Sequence, residues 1–207
     1  MRPCLREPIA EIFQAAQRLS QAVDAHQAGD AQRATALIKS ADLPIITVWT
    51  ESIWGKARAD IHLFFEQPAP LPYLDRSDRP LPRMPNSATK KAILTRDGYH
   101  CRFCGIPVTP VAVRQKLNRL YPAAARWGPR NVDAHAALQC MWLQFDHVVP
   151  NTRGGPSTLE NVVVTCAPCN FGRMELTIEE CGLAHPLVRE PRRWTGFDKW
   201  DGLTRLL

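Results

Sequence analysis

Three neighbouring stretches decide the fold: Leu143-Gln-Phe-Asp-His-Val-Val-Pro150, Asn151-Thr-Arg-Gly-Gly155, and Leu159-Glu-Asn-Val-Val-Val-Thr-Cys-Ala-Pro-Cys-Asn170. Residues 141–149 and 161–165 are apolar and β-branched, as the two strands of a hairpin require. Pro150, Gly154, Gly155 and Pro156 make the connection between them a loop. After Cys169 the pattern becomes helical through Met174, Leu176 and Ile178. A hairpin feeding a helix is one compact ββα unit.

The second pair of that unit, Cys166-Ala-Pro-Cys169, has a counterpart upstream in Cys101-Arg-Phe-Cys104. Each pair sets two thiolates on a tight turn, and two such knuckles together form the tetrahedral S₄ cage that Zn²⁺ prefers. Sixty-one residues lie between Cys104 and Cys166, so the predicted zinc closes a large loop. The remaining cysteines, Cys4, Cys140 and Cys181, bring the total to 7, and an odd number argues against a disulfide framework. His135 and Cys140 are not needed as ligands, because the two pairs already complete a closed site.

Outward from this centre the chain divides into four parts. Residues 1–66 form a helical N-terminal region, for packing or for docking a protein partner. Ile9, Ile12, Phe13, Ala16, Leu19 and Val23 predict a helix over 7–27, Gly29-Asp30 a break with a cap, and residues 31–41 a second helix. Trp49, Trp54, Phe64 and Phe65 complete a small hydrophobic cluster. Residues 67–86 hold Pro68, Pro70, Pro72, Pro80, Pro82 and Pro85 and read as a stiff linker. Residues 87–181 form the principal domain, opened by a helix that Asn86 or Ser87 can cap. Within it, residues 105–140 are an insertion, helical over 111–125 and again over 133–141. Residues 182–207, with Trp194 and Trp200 among basic residues, are a tail packing on that domain.

The net charge of +6 is uneven: residues 1–66 carry 7 Lys/Arg against 8 Asp/Glu, whereas residues 67–207 carry 19 against 12. The basic excess thus falls on the part that holds the ββα unit, where it can meet a phosphate backbone. No apolar run is long enough for a signal peptide or a membrane span, which predicts a soluble, cytoplasmic protein.

The ordered set Arg96-Asp-Gly before Cys101, Asp146-His147-x-x-Pro150, Arg153-Gly-Gly155, Asn161 before an apolar strand, and Cys166-x-x-Cys169-Asn170 resembles the HNH, or ββα-metal, nuclease family. Spacings of 13 residues from His147 to Asn161 and 8 from Asn161 to Asn170 carry the resemblance, which covers about residues 90–180. It implies an α+β fold, a zinc-stapled ββα-metal domain, and metal-dependent endonuclease activity on DNA, duplex DNA foremost. His147, with an ordinary pKa of about 6.5, is the expected general base. Asp146 and Asn170 are the expected ligands of one divalent cation, and Asn161 the residue that fixes the loop and orients His147. The family's third position is often His. An amide oxygen there shifts the expected ion toward Mg²⁺ or Mn²⁺. Asp146 and His147 are adjacent, so they share a site only if the strand ends or bulges there.

Arg153 and Arg173 are the expected phosphate contacts, with Lys90, Lys91, Arg96 and Arg102 extending the same surface. The competing reading is a zinc-ribbon module that binds nucleic acid without chemistry. A role in a restriction or phage-defence system, with the N-terminal region as the docking part, fits the same layout.

Overall fold

The computed structural model describes residues 1–54 and 71–207. Phe64, Phe65, Pro68 and Pro70 lie outside the described residues. The elements are α1 (Ala10–Gln27), α2 (Ala31–Ser40), α3 (Pro44–Trp54), α4 (Ser87–Asp97), α5 (Val111–Leu120), α6 (Ala136–Cys140), β1 (Leu143–His147), β2 (Val162–Cys166) and α7 (Ala167–Arg173).

Local sequence accounts for most of the boundaries. Asp30 caps α2 by accepting a hydrogen bond from Arg33 N (2.8 Å), and Asn86 caps α4 by accepting one from Thr89 N (2.9 Å). α5 stops at Leu120, short of the expected 125, because Tyr121 precedes Pro122 and is biased out of the helical region. α7 ends at Arg173, before the expected Met174, Leu176 and Ile178. Met174 turns to φ 54, and Leu176 N reaches back to Arg173 O (3.1 Å). The helical reading of 133–141 resolves into a 3-10 turn at Asn131–Asp133 followed by the short α6.

β1 and β2 pair antiparallel in regular register from Leu143↔Cys166 to His147↔Val162. All five β2 residues are buried, because α4 and the first knuckle cover the hairpin. Asp97, fully buried at the end of α4, accepts a hydrogen bond from Val164 N (2.9 Å) and pairs with Arg96 (2.7 Å). Arg102 N of the knuckle donates to Val164 O (2.8 Å).

A single hydrophobic core runs from α1 through the knuckles to the C-terminal tail. α3 packs on α6 and α7, and Gly172 is what lets it come close. A Cβ there would meet Ile53 Cγ2 at 2.5 Å and Leu5 Cδ1 at 2.9 Å. His135, fully buried, places Nε2 2.9 Å from Ile38 O and accepts from Leu138 N (3.4 Å), so it joins the end of α2 to the start of α6. The N-terminal helices therefore build part of the scaffold behind the ββα unit. The tail wraps the first knuckle: Trp194 Nε1 donates to Cys104 O (3.2 Å), Trp200 Nε1 to Val108 O (2.9 Å), and the Phe13 ring packs tilted against Trp194 with centroids 4.4 Å apart.

Candidate active site

Cys101, Cys104, Cys166 and Cys169 are all buried, and their four Sγ atoms lie within 4.8 Å of one another. Zn–S bonds of about 2.3 Å in a tetrahedron put sulfurs roughly 3.8 Å apart, so the cluster fits a Zn²⁺ ion with little adjustment. Burial pushes the Cys166 thiol up to about 12 and raises Cys104 as well. Burial acts against the Cys101 thiolate too, but hydrogen bonds from the other three thiols outweigh it and hold Cys101 well below the usual range. A cage of mutually crowded thiols is one that a dication resolves by replacing the shared protons. Among the described residues this is the only such cluster of Cys, His and acidic side chains.

The second constellation lies at the end of the hairpin. β1 pairs regularly up to His147 and ends there without a bulge. The Asp146 carboxylate meets α7: Arg173 Nη2 donates to Oδ1 (2.7 Å) and Arg173 Nε to Oδ2 (3.2 Å). The same guanidinium also donates to the His147, Val148 and Leu176 carbonyls, clamping the strand end to the helix end. Burial raises the Asp146 pKa, and Arg173 only partly offsets it.

The His147 side chain places Nε2 2.9 Å from Ser157 Oγ. Burial, reinforced by the guanidinium charges of Arg173 and Arg83, lowers its pKa to about 4. The imidazole is therefore neutral at physiological pH, as a general base must be. Asn161 ties the loop shut: its Oδ1 accepts from Val149 N (2.9 Å), and its Nδ2 donates to Val149 O (3.0 Å) and Pro156 O (2.9 Å). Gly155 permits this, since a Cβ there would stand 1.7 Å from Val149 O. Asn170 sits on α7 three residues before Arg173, on the same helix face. It is half-buried, and its amide makes no hydrogen bond among the described residues.

Two of the expected phosphate contacts are buried and paired within the protein. Arg173 is 1% exposed and fully engaged inside, as described. Arg153 is 5% exposed, pairs with Glu180 (3.0 Å), donates to Leu71 O and stacks on Tyr73 at 3.4 Å. Neither guanidinium faces a groove in which a phosphate can sit. Arg96 and Arg102 are likewise committed to Asp97 and backbone carbonyls, whereas Lys91 is exposed and Lys90 lies over Phe145.

Sequence reading missed the part played by residues 71–86. This stretch straps the active loop: Leu74 N donates to Thr152 O (2.8 Å), and Asn151 Nδ2 to Pro80 O (2.9 Å). It also brings the exposed Arg83 into electrostatic range of His147. Ser157 was missed as well, because a serine in a Gly/Pro-rich loop carries no signal of its own.

Comparison with known families finds a match over the hairpin region. The HNH endonuclease family model matches residues 134–172. The chain carries an HNH endonuclease domain. The match takes in α6, the hairpin, Asn161 and α7 through Gly172. No match is found among curated proteins or among solved structures. None of the helices described is long and apolar enough to cross a membrane.

Proposed function

We propose that this HNH protein is a metal-dependent endonuclease that hydrolyses phosphodiester bonds of DNA, with His147 as general base. The observation that carries the reading is the His147 imidazole. It is buried, kept neutral, and held through one nitrogen by Ser157, at the strand end that also bears Asp146. If Nε2–H donates to Ser157 Oγ, the lone pair lies on Nδ1, free to take a proton. A water oxygen then attacks phosphorus as its proton passes to His147, and the P–O bond to the leaving oxygen breaks. Asn161 holds the loop on which this alignment depends.

Asp146 and Asn170 supply two oxygens, the donor chemistry of Mg²⁺ or Mn²⁺. A carboxylate has about four lone-pair positions, and Arg173 uses only two of those on Asp146. When bound, the ion supplies positive charge to the scissile phosphate and the leaving oxygen. Arg173 fixes the Asp146 carboxylate by donating to both of its oxygens. The four cysteines hold a Zn²⁺ that takes no part in the reaction.

The N-terminal helices bury their apolar faces against the nuclease core, which supports a scaffold role for them. Nothing in this reading requires a docked protein or a restriction or phage-defence setting. The test is nicking of supercoiled plasmid by wild type and by His147→Ala, with Mg²⁺, Mn²⁺, Zn²⁺ or EDTA. Mg²⁺ or Mn²⁺ should support cleavage, and His147→Ala should lower the rate by about 10²–10⁴. Full activity of the variant, or cleavage in EDTA, would overturn the assignment. Binding with no cleavage under any condition would leave a zinc-ribbon binding module.

A further inference from the structure

Beside α7 lies a second feature that the HNH chemistry does not use. Trp54, Trp127, Trp142 and Phe171 line an open cleft of about 460 Å³. Their rings meet edge-on or tilted: Trp54–Phe171 at 5.2 Å, Trp142–Phe171 at 6.0 Å and Trp127–Trp142 at 5.8 Å. Phe171 directly follows Asn170 on α7, and Trp142 directly precedes β1, so the cleft is built on the same ββα unit. Gln139 also lines it. This side chain is 4% exposed, its Nε2 donates to Asn131 Oδ1 (2.9 Å), and its buried Oε1 has no donor among the described residues. A buried amide oxygen without a partner is costly, and the residue that carries it lines the cleft.

Trp127 is a shared wall. On its other side is a hollow of about 510 Å³ lined by Arg114, Gln115, Asn118, Arg119 and Trp127, with no acidic residue. The Arg114 guanidinium stacks on Trp127 at 3.6 Å and lies 5.3 Å from the Trp142 ring centre. Arg114 is 9% exposed, its Nε has no acceptor, and among the described residues no carboxylate pairs with it. Aromatic faces that accept a planar group, next to unpaired guanidinium charge that accepts an anion, are the two halves of a single-stranded nucleic-acid site.

We propose that this cleft holds an unstacked nucleobase of the strand being cut, while Arg114 and Arg119 hold the adjoining phosphate. The inference rests on the nuclease reading for its substrate class, but its test does not need cleavage. An open cleft accepts a base only after it leaves its stack. Single-stranded, frayed or distorted DNA should therefore bind more tightly than intact duplex, since unstacking costs free energy in the duplex.

The experiment titrates zinc-loaded His147→Ala protein, in EDTA too brief and dilute to strip the zinc, with a 12-nucleotide single strand and with the matching duplex. Binding is read from tryptophan fluorescence. The single strand should quench saturably and bind more tightly than the duplex. Phe171→Ala and Gln139→Leu should each weaken it roughly tenfold, and Arg114→Gln should flatten its salt dependence. Val188→Ala, remote and 79% exposed, is the control that should change nothing. Zinc content and melting temperature exclude misfolded variants. Affinity unchanged in Phe171→Ala and Gln139→Leu, or a preference for duplex, would overturn the cleft while leaving plasmid cleavage intact. Cleft-dependent binding by a wild type that never cleaves would support the cleft and overturn the nuclease reading instead.

Discussion

The cysteine cage and the His147 site share one ββα unit, yet they are built on opposite rules. In the cage every donor points inward: four sulfurs within 4.8 Å of one another, each residue no more than 2% exposed. At the His147 site the framework is equally bound, with Asn161 and Arg173 spending their hydrogen bonds on backbone and on Asp146. Among the described residues, however, Asn170 keeps a free amide, and His147 keeps one ring nitrogen without a protein partner. A closed shell of donors fixes a fold. Donors left over inside a rigid frame mark a place for chemistry.

The largest expected effect lies on the cage side of this contrast. Structural zinc contributes on the order of 10–16 kcal/mol of apparent binding free energy in peptide hosts, more than a small domain's net stability. A strong chelator, or Cys166→Ala, should abolish the cooperative melt and the α7 helical signal. An unchanged melt would break the contrast, because the cage would then be ornamental.

Arg173 tests whether the active framework is as fixed as the cage. Arg173→Met removes the buried counter-charge of Asp146, and such losses cost about 3–5 kcal/mol. Chemical denaturation should show a loss of that order. If Asp146→Asn is then added, part of it should return. No loss in the single variant would mean that the clamp adds nothing.

Acid provides a third comparison, between groups that bury a neutral ring and groups that bury charge. Burial lowers His135 to about 4 and lowers His100 as well, while an unfolded histidine titrates near 6.5. Between those values the unfolded chain binds more protons. The stability they contribute is therefore complete above about pH 6.5 and is lost as pH falls toward 4. For His135 the total is about 3 kcal/mol, and Asp146, with its raised carboxyl, works in the opposite direction. Melting temperatures from pH 7.5 to 4.5 should fall, and less steeply in His135→Gln. An equal slope in both proteins would refute the assignment.

Ser157→Ala carries the smallest effect. It leaves His147 in place but frees its orientation, so cleavage should drop about tenfold with the melt unchanged. Ser157→Thr should restore most of the rate, which a purely structural role for the residue would not produce.

Residue types and spacing alone established the two C-x-x-C knuckles, the hairpin followed by a helix, and the ordered Asp146, His147, Asn161 and Asn170. Short-range rules suffice there, because turns, β-branched runs and caps act within a few residues. Tertiary structure alone decided what each arginine does. Arg153 and Arg173 look like phosphate contacts along the chain, but Glu180 is 27 residues from the first and Asp146 27 from the second. A guanidinium faces solvent or a buried carboxylate according to packing, and packing joins residues that sequence keeps far apart. The same holds for Arg83 brought within electrostatic range of His147, and for Gly172, whose missing side chain lets α3 seat against α7. Which groups a motif contains is written locally, but which of them stay free is settled only when the whole core closes.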